Sequence, residues 1–225
     1  MQLIQSTVGR KILMAVTGLL LVGFVTIHLL GNLSVFAGPD GINAYAVHLH
    51  SLGALVWVFR LAMLAIFAVH ITFGIQLSME NRTATPINYS IKSRMKATFS
   101  SESMLYTGLI LLAFLIYHLL HFTVQITNPE ISAHKLPLDA MMRPDVFTMV
   151  VLSFQKVFIS LVYIVGMIAL FLHLTHGLSS FVQTFGLNNG PSLEKVTLVG
   201  KLVAVGYLLA YVAIPVLILA RFVNV

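Results

Sequence analysis

The stretches FLIYHLLHF (114–122) and LFLHLTHG (170–177) each place two histidines inside an apolar run. Imidazole is costly in hydrocarbon and is carried there for a reason. Both runs extend far enough to cross a bilayer, which takes roughly 20 mostly apolar residues. The composition agrees. Of 225 residues, 58% are hydrophobic and 9% charged, against about 25% charged in an ordinary soluble domain. Five segments qualify as spans, at about 12–36, 54–79, 104–126, 157–182 and 196–222. The expected fold class is all-α, a single integral membrane bundle of five transmembrane helices covering 1–225. The first run is too long for a signal peptide and lacks a convincing small-residue cleavage site.

Punctuation between the spans supports this division. Gly38-Pro39-Asp40-Gly41, Thr85-Pro86-Ile87-Asn88 and Asn188-Asn189-Gly190-Pro191 read as breaks. Pro144 reads as the first turn of a helix leading into the fourth span, and Pro215 as a kink in the fifth. Basic residues set the direction. Arg10, Lys11, Arg82, Lys92, Arg94, Lys96, Lys195 and Lys201 fall on one side of a five-span chain. Lys135, Arg143 and Arg221 fall on the other, with Arg60 and Lys156 near span ends. The amino terminus is therefore expected in the cytoplasm and the carboxy terminus outside. The net charge of +6 is spread between apolar runs, which suits anionic lipid rather than nucleic acid. Trp57, Tyr45 and Tyr106 read as interface aromatics. The absence of cysteine excludes disulfides, cysteine-ligated iron–sulfur clusters and a covalent c-type haem.

The histidines follow a pattern. His28 follows Thr17-Gly18, and His118 follows Thr107-Gly108, each ten residues after the glycine. His70 precedes Gly74, and His173 precedes Gly177, each by four. Spans one and three thus share T-G-x9-H, and spans two and four share H-x3-G, a doubled two-helix unit with a fifth span added. In an alternating bundle His28 and His118 share one depth and His70 and His173 another. At about 1.5 Å rise per residue, each is roughly 15 Å from its nearer membrane face. Two imidazoles facing each other at one depth can hold a haem iron from both sides, an arrangement suited to electron transfer. A glycine one turn from the ligand on the same face reads as room for a flat macrocycle. Two b-type haems held between the first four helices are expected. His121 and His176 lie one turn beyond His118 and His173, and serve as neighbours of the ligands or as alternative ligands. His48, His50 and His134 read as histidines of loops on the outer side.

Other readings exist. A single intramembrane histidine can hydrogen-bond to a neighbouring helix. A proton relay or a transported-metal site is another use, but such paths employ acidic residues, which these spans almost lack.

The T-G-x9-H segments, His70 with Gly74, and the run from His173 through Gly177 to Thr184-Phe-Gly186 together resemble one family over roughly residues 8–222. It is the single-chain, five-helix diheme cytochrome b anchor subunit of succinate dehydrogenases and fumarate reductases. The resemblance implies that His70 and His173 hold the proximal haem and His28 and His118 the distal one. It implies a flavoprotein carrying FAD and an iron–sulfur protein docked on the cytoplasmic face of a bacterial inner membrane. It implies electron passage between those partners and a membrane quinone, with menaquinone favoured. This chain would then carry no dicarboxylate chemistry itself. Some fumarate-reducing members carry a glutamate two residues before the fourth ligand, where this chain has Phe171, so the same proton path is not expected. His48 and His50 become candidate neighbours of a quinone site. An anchor for a hydrogenase or formate dehydrogenase, and a non-redox membrane transporter, are the alternatives.

Overall fold

A computed structural model describes residues 2–83, 103–187 and 190–225. Lys92, Arg94, Lys96 and the break at Thr85-Pro86-Ile87-Asn88 lie outside them, as do Asn188, Asn189 and the side chain of Arg82. No strand occurs among the described residues. A single turn at Gln2–Gln5 precedes seven helices. They are α1 (Thr7–Leu33), α2 (Gly38–Ser51), α3 (Ala54–Thr83), α4 (Met104–His118), α5 (Val146–Phe154), α6 (Val157–Thr184) and α7 (Gly190–Leu219). Five helical segments are long and apolar enough to cross a membrane. Large apolar side chains face outward along them, including Leu64, Leu109 and Leu209. In water such surface would be untenable; in lipid it is the solvated face.

The boundaries differ from the sequence reading in places. α1 starts at Thr7, five residues early, because Ser6 caps it by accepting from the Gly9 N–H at 3.0 Å. Gly38 does end the first rod, with φ +80°, after a 3-10 turn at Ser34–Ala37. The segment beyond it is a helix, α2, rather than a loop, with Pro39 placed where a missing N–H costs nothing. Gly41 is required there, since a Cβ would sit 2.6 Å from the Ser34 carbonyl oxygen. Pro144 is not in a first turn. Asp145 caps α5 by accepting from Thr148 N–H at 3.0 Å, and the helix begins one residue later. α5 is also separate from α6, because Lys156 takes an extended conformation between them. The third span ends in a π turn at Leu119–Thr123, closed by Val124 N–H to the Leu119 carbonyl at 2.8 Å.

α1 packs along α3, α4 along α6, and α6 against both α1 and α7. The seventh helix is tied back to the first by side chains. Tyr207 and Thr26 hydroxyls bond to each other, and Tyr211 donates to the Val25 carbonyl at 2.8 Å. Pro215 is fully buried inside α7.

The end of the bundle opposite the amino terminus carries a cap. α2 and α5 pack on each other there. The apolar cluster of Val35, Ile42, Phe147, Val151, Phe154 and Tyr163 fills the space beneath. Fully buried Asn43 pins it. Its amide donates to Asp139 at 3.0 Å and Asp145 at 3.3 Å, and its carbonyl accepts from Phe147 N–H at 2.9 Å. Arg143 adds charge-assisted bonds to Asp139 at 2.7 Å and Asp40 at 2.8 Å. At the amino-terminal end, Arg10 and Glu80 join α1 to α3 through two contacts of 2.9 and 3.0 Å.

Candidate functional site

His28 on α1, His70 on α3, His118 on α4 and His173 on α6 each meet a histidine on a different helix. His70 and His173 have ring centres 6.3 Å apart, with planes at 66°. His28 and His118 have ring centres 5.7 Å apart, with planes at 85°. The first pair, nearer the amino terminus, is called the near pair, and the second the far pair. The two pairs occupy two levels because all four histidines fall late in helices that alternate in direction.

The Thr-Gly dipeptides turn out to serve the neighbouring helix. Thr17 Oγ1 lies 3.2 Å from His70 Nδ1. The same hydroxyl is 2.8 Å from the Leu13 carbonyl and 3.1 Å from that of Met14, so its one proton goes to its own helix. It can then only accept from the imidazole. His70 therefore carries its proton on Nδ1, and Nε2 keeps a free lone pair. The arrangement repeats. Thr107 Oγ1 lies 3.1 Å from the Ser103 and Met104 carbonyls and 3.3 Å from His173 Nδ1. A Cβ on Gly18 would lie 3.2 Å from His70 Cε1, and one on Gly108 3.5 Å from His173 Cε1. These glycines let the neighbour's ring lie against the helix. Of the two glycines one turn from a histidine on the same helix, a Cβ on Gly74 would lie 3.3 Å from the Met14 terminal carbon, and one on Gly177 would meet nothing within 4 Å.

The far pair is backed differently. His118 Nδ1 lies 3.3 Å from the Tyr163 hydroxyl, and His121 Nδ1 lies 2.9 Å from that same oxygen. His121 is buried at 4% exposure within the π turn, and its Nε2 has no hydrogen-bond partner. A small cleft lined by His121, Gln125, Asn128, Ser132, Met149 and Ser153 lies beside it. Phe114, Phe122 and Phe154 surround Tyr163 at ring-centre distances of 4.9–5.6 Å. Phe24 stacks on His28 at 5.4 Å.

The remaining histidines are not drawn in. His48 and His50 are exposed on α2, where His50 Nδ1 contacts the Ala46 carbonyl at 2.7 Å. They stand on a helix rather than in a loop, and among the described residues no ring contact or hydrogen bond joins them to either pair. His134 is exposed. His176 lies beyond His173 on α6, half-buried, its carbonyl accepting from the Ser179 hydroxyl at 2.9 Å. Tyr163 escaped the sequence reading. Its signal would have been a tyrosine ten residues, or about three turns, before His173 on the same helix, which only the α4–α6 packing makes meaningful.

The residues fit a tetrapyrrole held from both faces. Two imidazoles bound to one metal at about 2.0 Å each place their ring centres roughly 6 Å apart, close to both observed separations. Among the described residues, no group of three or more His, Cys, Asp or Glu side chains is placed to hold a bare metal ion. Each level offers two nitrogen donors, the number a metal needs when a macrocycle supplies the other four. The Nδ1 bonds are the usual support for a metal-bound imidazole, fixing its orientation and raising its basicity. Comparison of the chain with family models, curated proteins and solved structures finds no match.

Proposed function

We propose that this chain is a membrane anchor and electron-transfer subunit carrying two b-type haems, with His70 and His173 holding one and His28 and His118 the other. The observation that carries this reading is the meeting of two histidine pairs, at metal-spanning distance, on two levels of one apolar bundle. When bound, the haems supply one-electron transfer across the low-dielectric interior. The protein's own residues do the rest. Thr17 and Thr107 hold the near imidazoles with Nε2 free. Tyr163 backs His118, and Phe24 and Phe114 keep water from the far level. The exposed apolar faces hold the assembly in lipid.

The succinate:quinone oxidoreductase assignment rests on the motif order and spacing. In that reading the amino-terminal face is cytoplasmic and docks an iron–sulfur protein with its FAD-bearing flavoprotein, while the far level exchanges electrons with a quinone of the menaquinone type. Two measurements test it. A pyridine haemochrome assay on the purified chain should give two haem b per polypeptide, and the absorption spectrum of the native chain should be low-spin; one haem or none refutes the haem reading. Isolation of the native complex should bring a flavoprotein with it. Co-purification of a hydrogenase or formate dehydrogenase subunit instead would keep the haems and refute the succinate assignment.

A further inference from the structure

The two histidine pairs are alike in spacing and unlike in support. In the near pair each imidazole is backed by a threonine whose proton is already committed to its own helix. In the far pair His118 is backed by a phenol that it shares with a second buried histidine. The bond directions can be worked out. For His118 to offer Nε2 to a metal, its Nδ1 must carry the proton and donate to the Tyr163 oxygen. Tyr163 has one proton, which then goes to His121 Nδ1, the shorter contact at 2.9 Å. His121 is left as the Nε2–H form, with that nitrogen beside the polar cleft. The chain reads His118 to Tyr163 to His121, every member buried or half-buried.

We propose that Tyr163 is a positioning residue for the far metal ligand and that His121, rather than ligating, orients and strengthens the Tyr163 hydroxyl as an acceptor. This rests on the haem reading above. A hydroxyl that donates becomes a better acceptor, because hydrogen bonds in a chain polarise one another. A stronger acceptor at Nδ1 makes imidazole a more basic ligand. More basic ligands favour the oxidised metal, so the relay holds the far haem's midpoint potential down. At the near haem the corresponding acceptors are Thr17 and Thr107, whose protons go to backbone carbonyls rather than to a second histidine.

The test is a spectroelectrochemical titration of the full chain in detergent, comparing wild type, Tyr163→Phe and His121→Phe. Tyr163→Phe should keep both haems and shift one midpoint upward, leaving the other in place. His121→Phe should shift the same component upward by less. Pairing each with Thr107→Val, which should move the other component, identifies which haem responds. An unmoved far midpoint in Tyr163→Phe, or equal shifts in both haems, overturns the proposal. Should Tyr163→Phe fail to assemble, His121→Phe decides: an upward shift confined to the far haem supports the relay, and no shift or loss of the far haem overturns it. A wild-type chain without haem overturns the haem reading itself and this inference with it, whereas two haems with unchanged potentials overturn this inference alone.

Discussion

At the residue scale, the threonine hydroxyls do more than their size suggests. Thr17 and Thr107 each spend a proton on their own helix and so become pure acceptors toward His70 and His173. Replacing either with valine preserves shape and removes the acceptor. We predict that Thr17→Val or Thr107→Val weakens cofactor retention at the near level by roughly 10–100-fold, the usual cost of losing a ligand's outer partner. Haem retained through repeated detergent exchange measures this. Ligands and neighbours separate in the same assay. Alanine at His28, His70, His118 or His173 should remove one haem or block assembly, whereas alanine at His121 or His176 should leave two. Much of this was legible in the sequence, because T-G-x9-H and H-x3-G mark which histidines correspond. What the dipeptides do was not. Spacing within one helix locates a residue on a face, but it cannot say which neighbour that face meets.

Among the elements, α4 and α6 pack most tightly where a glycine faces an aromatic ring. A Cβ on Gly166 would sit 2.6 Å from Phe114 Cδ2, too close for any real contact. Phe114 in turn stacks on His118 at a ring-centre distance of 6.0 Å. Gly166→Ala must push the ring, and through it the far pair. The expected cost is about 1–3 kcal/mol of stability, typical of an overfilled core, read as a lower melting temperature. The far haem's spectrum should change and the near haem's should not. Span existence was plain from composition alone, since long apolar runs admit only one structure in lipid. The ends were less plain. α2 looks like a loop because Gly38-Pro39-Asp40-Gly41 is rich in turn residues. It is a helix because Pro39 and Asp40 also suit a first helical turn. The π turn after His118 has no sequence mark among its leucines.

For the whole molecule, the two ends answer to different solvents. The cap network is ionic and lies outside the spans. Burial pushes the Asp139 carboxyl up, but bonds from Arg143, Asn43 and the Met141 N–H together outweigh it and hold the group down at about 2. An unfolded aspartate titrates near 3.9. The native state thus binds fewer protons between these values. The stabilisation is present above about pH 4 and is lost as pH falls toward 2. Melting curves in detergent should show this drop for the wild type. Asp139→Asn should melt lower at neutral pH and lose the acid-dependent part. The direction of insertion is testable too. The chain has no cysteine, so single thiols at Ser6 and Asn224 can be labelled without background. Five spans place them on opposite faces, and the proposed orientation requires that an impermeant reagent applied to intact cells reach Asn224→Cys and not Ser6→Cys.

The tie between α7 and α1 has a consequence for how the chain is made. Tyr207 and Tyr211 hold α1 at Thr26 and Val25, within one turn of His28. These anchors lie about 180 residues later in the chain than the segment they fix. A ribosome delivering roughly 5–20 residues per second leaves that segment waiting on the order of ten seconds or more. The near level needs only α1, α3, α4 and α6, and could be complete before the last helix emerges. The far level depends on the final span to steady His28. A released chain truncated after residue 187 should therefore fill the near site and not the far one. Counting haem in that truncated chain would reveal this dependence, and equal filling of both levels would refute it.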